Sequence, residues 1–585
     1  MPRAAHPGEA RMIQSSKFLS TPPFETLRMY SRSILSPALL LVGSLCFAPL
    51  HAAENESITI GNAQLAVVLG ATPTPPEARV KELLAERLLD RSGIALTKDP
   101  EAASIRLVVG TVASNEEIKA FAASRGDLAL DADGYVIETN AANNKIHILG
   151  QSDSGVVAGV GRLMREMRYQ LGKVEVPALR IAESPQMPNR GMYLWARKYY
   201  FDEPDKVDRY IEEFALWGGN AICFWFEMGM FESFQDMTGE KSELDTGYAR
   251  AYKLDKSLAK DWVAMYRRFY ATARRMGMKT GLLMVANDAY MSSPKEMRVE
   301  SIIGCPEWYL CPAKPGAVEK MIGMQEEVFK ALAPIDIFNI FPCDPGGCSC
   351  ADCTPWPTRG FWKIAKPLGD RIHAISPKTE IWIDTWHLNH PTFGGKDWEN
   401  LVTGLDASKQ APAWFAGFEV GIAPHHRFAA MQPPDRQRYN DAKRPLMVFP
   451  EISMYRNHAG MLVKKDYWKQ VQDEFNSYDP ALMKGGWPYA ERWNTDIACV
   501  MFLSWFWNPQ TGIDAILDEY AAFYFGPAAE TGRKLFELLD DGNTDPDRKQ
   551  KIQATLATLE STAPEWVKRD WRWQEIVTAC ATKSR

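Results

Sequence analysis

Apolar residues follow two rhythms along this chain. From Ile58 to about residue 183, short β-branched runs take turns with a few stretches of helical spacing. ITIGNAQLAVVLG reads as a strand pair, and PEARVKELLAERLLDRSG keeps its apolar positions at helical spacing up to Gly93, a natural helix stop. SIRLVVGTV reads as a buried strand. GYVIETNAANNKIHILGQ reads as a hairpin with Asn-Asn-Lys at its tip, and SDSGVVAGVGRLMREMRY opens on capping residues and continues as a helix. From Pro188 the rhythm changes to strands separated by amphipathic helices. The strand candidates are NRGMYLWAR, NAICFWFE, KTGLLMVAND, DIFNIFPCD, EIWIDTW, WFAGFEVG, LMVFPEISM and GGWPYAE. Stretches such as PDKVDRYIEEFALWG, AKDWVAMYRRFYATARRMG and AVEKMIGMQEEVFKALA stand between most of them. Eight strands with helical connectors predict a (β/α)8 TIM barrel. The expected organisation is a signal region at 1–53 with its core at 29–53, a small α/β domain at 54–185, the barrel at 186–512 and a C-terminal helical segment at 513–585.

Composition narrows the function more than the fold. At 585 residues, 46% hydrophobic and 24% charged, the chain reads as a soluble globular protein with more than one core. The net charge is −6, and the first 53 residues carry five basic against two acidic side chains, so their removal leaves about −9. No basic run or basic-aromatic stripe occurs, which argues against nucleic acid or an anionic membrane surface as partner. MYSRSILSPALLLVGSLCFAPLHAA, residues 29–53, has the basic start, apolar stretch and small-residue end of a secretory signal, with cleavage expected after Ala52 or Ala53. Pro37 and Pro49 interrupt it, so stable membrane insertion is not expected and the mature protein should be periplasmic or extracellular. Nineteen Trp, several near predicted strand ends, suit either sugar-binding faces or large cores.

The order of elements before Pro188, above all the hairpin followed by the G-x-x-x-G helix, resembles the N-terminal domain ahead of the barrel in family 20 hexosaminidases and family 67 and 115 α-glucuronidases. NRGMYLWARKYY resembles the first-strand R-G segment of family 20, and GGWPYAERW its last-strand W/Y-E region. EYAAFYFGPAA resembles the helix after the barrel in α-glucuronidases and in related barrel proteins of unassigned function. The resemblance implies a glycoside hydrolase acting on an oligosaccharide or polysaccharide that contains amino sugars or uronic acid. It places Arg190 on a sugar hydroxyl and gives Glu491 a binding or catalytic role. One departure matters: family 20 carries an Asp-Glu pair after the fourth strand, whereas this chain has Asp344-Pro345.

Acids gather where the predicted strands end: Glu227, Asp288, Asp344, Asp384, Glu419, Glu451 and Glu491. In a barrel those ends converge on one face, where active sites sit. Glycoside hydrolysis needs two carboxyl groups, one of them protonated near neutral pH, or one with help from a substrate acetamido group. Asp344 is the leading acid/base or orienting group, with Glu451 and Glu491 as candidates for the second carboxyl. Glu227, Asp384, Glu419, Arg190, Trp386 and Trp493 are expected to hold the sugar, with no cofactor taking part in catalysis. Cys343, Cys348, Cys350 and Cys353 follow a C-x4-C-x-C-x2-C spacing that suits either a structural zinc or two disulfides. Cys305 and Cys311 form a further candidate disulfide. Two other classes stay open. One is a glycan-binding barrel without catalysis; the other is a metal-dependent polysaccharide-modifying enzyme using Asp384 with His387, His390, His425 and His426.

Overall fold

The computed structural model describes residues 57–583 apart from 127, 196–202, 227, 229–258, 291–292, 300–307, 343–346, 386–410, 423–432, 454–462 and 491–495. The signal region therefore lies outside the described residues. Among those described, no helix is long and apolar enough to cross a membrane.

The N-terminal region is a small α/β unit. Strands β1 (Ile58–Ile60) and β2 (Leu65–Val68) are the expected pair, but they join different sheets. β3 (Ile105–Gly110), β4 (Tyr135–Asn140), β5 (Lys145–Gly150) and β8 (Arg180–Glu183) complete a five-stranded sheet of order β2-β3-β5-β4-β8. β6 (Arg168–Gln170) and β7 (Lys173–Val176) form a three-stranded antiparallel sheet with β1. The predicted hairpin is β4–β5, and Asn144 at its turn adopts a left-handed conformation that Asn tolerates better than most residues. Helix Pro75–Ser92 begins on a reciprocal cap, Thr74 with Glu77, and ends at Gly93 with φ +70°, as its sequence suggests.

Helix Asp153–Glu166 explains its glycines. A Cβ on Gly155 would lie 2.5 Å from the Gly134 carbonyl oxygen, and one on Gly159 would lie 2.8 Å from Ile148. These two let the helix settle onto its own sheet. Gly161 faces elsewhere: its Cβ would lie 1.8 Å from the Leu216 carbonyl oxygen, on the first barrel helix. The helix is thus wedged between the N-terminal sheet and the barrel.

Eight parallel strands close into a barrel: β9 (Asn189–Trp195), β10 (Ala221–Phe226), β11 (Lys279–Val285), β12 (Ile337–Phe341), β13 (Glu380–Asp384), β14 (Phe415–Ile422), β15 (Leu446–Ser453), and an eighth made of β16 (Met483–Gly486) and β17 (Tyr489–Ala490). Closure comes from β16, which pairs with both β15 and β9. Helices Pro204–Leu216, Ala259–Arg275, Ala317–Leu332, Trp362–Ile375, Pro433–Ala442 and Lys465–Phe475 stand between successive strands, and residues 386–410 of the β13–β14 connector fall outside the described residues. The interior is packed by side chains at alternate positions, including Tyr193, Cys223, Leu283, Phe341, Trp382, Met447 and Trp487. That period of two marks which residues can reach the central axis.

Helix Asp496–Trp507 is buried along nearly its whole circumference, as a sequence apolar at every position but Asp496 and Ser504 requires. Five helices from Ile513 to Lys583 cover it. They are fastened by a buried ion pair in which Arg572 donates through two nitrogens to Asp496, which also accepts from the Tyr520 hydroxyl at 2.6 Å.

Candidate active site at the carboxyl ends of the barrel strands

Three consecutive strands carry an acid in their C-terminal halves. Asp384 is the last residue of β13, Glu419 lies on β14 and Glu451 on β15. Asp384 and Glu419 stand directly opposite in the register of the two strands, and both are fully buried. The Thr385 amide and hydroxyl both donate to the Glu419 carbonyl oxygen at 2.9 Å, which fixes the end of β13 against β14. Met447 is the β15 residue opposite Glu419, so Glu451 sits four residues, or about 13 Å, farther toward the rim. Glu451 pairs in turn with Tyr489 of the last strand.

Neither carboxyl oxygen of Glu419 has a hydrogen-bond partner among the described residues. Burial, together with the adjacent Asp384 carboxylate, raises its pKa well above the usual range. The cause is physical: two adjacent buried carboxyl groups cannot both carry charge cheaply, so Glu419 holds its proton more tightly than an exposed glutamate does. The same two acids, acting after burial itself, push up the Cys223 thiol. Asn339 donates to that sulfur at 3.8 Å, so Cys223 and Asn339 belong to the same interior polar cluster. Sequence reading missed both, since a Cys and an Asn inside apolar strands look like ordinary core positions.

Asp288 has a different job. Its carboxylate accepts from the Met228 and Ala289 amides and from the Trp308 indole at 3.1 Å, tying together the segments that follow β10 and β11. These bonds shape the rim.

Arg190 is a correction. It is the second residue of β9, hence at the amino end of the barrel, opposite the rim. Its guanidinium is buried and bonded through all three nitrogens: Nε donates to Gly218 O at 2.7 Å, Nη1 to Met187 O at 2.8 Å and Nη2 to Asp133 at 2.9 Å. At 1% exposure, and at the end away from the rim, it is out of reach of a sugar hydroxyl. Burial works against the Asp133 charge, but Arg190, the Ser152 hydroxyl and the Asn220 amide outweigh it and hold the carboxyl below its usual pKa.

The cysteine set is also revised. The thiols of Cys311, Cys348, Cys350 and Cys353 lie within 4.8 Å of one another. Cys311, expected to pair with Cys305, joins Cys348, Cys350 and Cys353 in this set. Glu227, Asp344, Trp386, Glu491, Trp493, Cys305 and Cys343, with His387, His390, His425 and His426, lie outside the described residues, as does the side chain of Glu451.

A family model described as the glycosyl hydrolase family 67 N-terminus matches residues 45–163. No curated protein matches the chain. Among solved structures, CpGH84B aligns with a TM-score of 0.57 at 11% identity, covering 91% of this chain and 87% of that one. A β-N-acetylhexosaminidase of family 20 from Streptomyces coelicolor A3(2) aligns at 0.53 and 14% identity, covering 84% of this chain and 97% of its own. A family 138 enzyme targeting pectin rhamnogalacturonan II aligns at 0.51 and 10% identity, with 84% and 56% covered. The chain shares the fold of these structures, a TIM barrel behind a small α/β region, and over residues 45–163 it is similar to the family 67 N-terminal domain.

Proposed function

We propose that the protein is an exported glycoside hydrolase that cleaves a glycan containing amino sugars or uronic acid by carboxylate acid/base catalysis. The observation that carries this reading is the set of acids on β13, β14 and β15, in which Glu419 is buried in register with Asp384 and its carboxyl pKa is raised above the usual range. A carboxyl that keeps its proton at neutral pH, near others that do not, is the electrostatic arrangement glycosidic cleavage uses. The family 67-type N-terminal match and the sugar-processing names of the structural neighbours support the substrate class. In this reading Asp344 acts as acid/base or orienting group, and Glu451 or Glu491 supplies the second carboxyl. Glu227, Asp384, Glu419, Trp386 and Trp493 hold the sugar. A carboxyl separation of about 5 Å would give retention, and a wider one inversion.

The test is a panel of amino-sugar and uronic-acid glycans assayed for new reducing ends, with release expected from at least one member. Pro345, standing where family 20 has its acid, favours one other reading, a glycan-binding barrel without catalysis. Saturable binding with no release across the panel would establish that instead.

A further inference from the structure

Four thiols converge at the barrel mouth from two neighbouring loops. Cys311 lies in the segment between β11 and helix Ala317–Leu332, and Cys348, Cys350 and Cys353 follow β12. The Cys311 sulfur is 3.7 Å from that of Cys350 and 3.7 Å from that of Cys353. A tetrahedral zinc site with Zn–S of about 2.3 Å has S···S edges of about 3.8 Å, whereas a disulfide needs about 2.0 Å. The observed spacing is that of four ligands around one ion.

The surroundings fit the same purpose. Cys311, Cys348 and Cys353 are buried and Cys350 is half-buried, so the set is closed to exchange except on one side. The Cys353 and Thr354 amides both donate to the Cys350 carbonyl oxygen, at 3.0 and 3.1 Å, folding Cys350 and Cys353 into one tight turn. The loops are also tied by Asn287, which donates to Gly347 O at 2.9 Å and accepts from the Leu310 amide beside Cys311. Trp356 packs against Gly347, where a Cβ would lie 2.0 Å from its ring, and donates to Pro342 O at 2.9 Å.

We propose that Cys311, Cys348, Cys350 and Cys353 bind one structural Zn²⁺ that staples the loops after β11 and β12 together at the barrel mouth. Four protein ligands leave no open position for water or substrate, so the ion shapes the mouth without taking part in the reaction. Binding converts four thiols to thiolates and releases four protons to solvent, with no change of oxidation state. In an exported protein the metal would also keep these sulfurs from forming disulfides. The staple stands independently of the proposed glycosidase activity.

The experiment uses the full chain purified without chelator. Metal analysis should give about one zinc per chain, in line with a single four-cysteine site. Replacement by Co²⁺ should produce the intense visible bands of a tetrahedral tetrathiolate. Cys311→Ser should lose stoichiometric zinc, and Cys343→Ser should keep it. If Cys311→Ser does not fold, the cobalt spectrum and peptide mapping of the wild-type chain decide the matter. A chain that takes up no zinc after reduction and reconstitution would overturn the proposal. So would disulfides mapped among these four residues, or zinc retained by Cys311→Ser and lost by Cys343→Ser.

Discussion

Strand β13 carries an acid at each end, and the two are treated in opposite ways. Glu380, its first residue, is paired with Lys279 at 3.3 Å, and Lys279 also donates to Asn189 at 3.0 Å. Asp384, its last residue, faces another acid in register. The contrast extends around the barrel. At the amino end, Arg190 and Asp133 satisfy each other and draw in Asn220 and Ser152. The nearby cleft of about 390 Å³ is lined by Arg165 and Glu519, themselves paired at 2.8 Å. At the carboxyl end, Glu419 is buried with no hydrogen-bond partner among the described residues. Charge at the lower end is spent on holding the N-terminal region to the barrel, while charge at the upper end is left for other work. An uncompensated buried acid costs stability, and proteins keep such groups where chemistry needs them.

Four substitutions probe this division. Asp344→Asn should lower kcat about 10²–10⁴-fold on a cleaved glycan while the thermal midpoint stays close to wild type. Near-normal turnover would remove Asp344 from the mechanism. Asp133→Ala at the lower end should do the converse, costing about 3–5 kcal/mol in denaturant unfolding by stranding the buried Arg190 guanidinium, with KM unchanged for the folded enzyme. A raised KM with unaltered stability would return Arg190 to substrate binding.

Gly161→Ala should cost about 1–3 kcal/mol, because the new methyl meets the Leu216 backbone. A neutral result there would mean that the helix has room to withdraw from the barrel.

Glu419→Gln has the smallest effect at neutral pH, and its signature is the pH dependence. The folded pKa of Glu419 lies above its unfolded value, so the native state binds more protons than the unfolded chain. Wild-type stability should therefore fall as pH rises from the ordinary glutamate range toward the raised folded value. The glutamine variant should lack that component, and identical pH slopes for the two proteins would show that Glu419 is not held protonated. For Asp133 the sign is opposite. Its contribution is full above the unfolded aspartate range and is lost as pH falls through the depressed folded value.

Much of the architecture was legible because strands and helices of a barrel repeat at periods of two and 3.6. The eight strand candidates correspond to β9 through β17, and the caps at Thr74 and Gly93 fall where the sequence puts them. Even the position of Arg190 was within reach: the start of a barrel strand is the face away from the active site. What hid it was the likeness of a short R-G segment. Its partner Asp133 carries no sequence mark, being 57 residues away in a turn. Cys311 was hidden in the same manner. Nearness in sequence suggested Cys305 as its partner, yet the chain returns to it 37 residues later at Cys348.

By itself, then, the sequence determined the order of elements, the closed barrel they imply, and the place of Asp384, Glu419 and Glu451 toward the carboxyl ends of their strands, since each follows from local periodicity. Only the tertiary structure decided which charges meet. The register of β13 on β14 sets Asp384 against Glu419, the docking of the N-terminal region gives Arg190 to Asp133, and the meeting of two loops gathers four thiols. Those pairings depend on contacts between residues far apart in the chain, which no local pattern encodes. The physics of the site resides there, because the environment of a carboxyl or a thiol sets its proton affinity and its ligands.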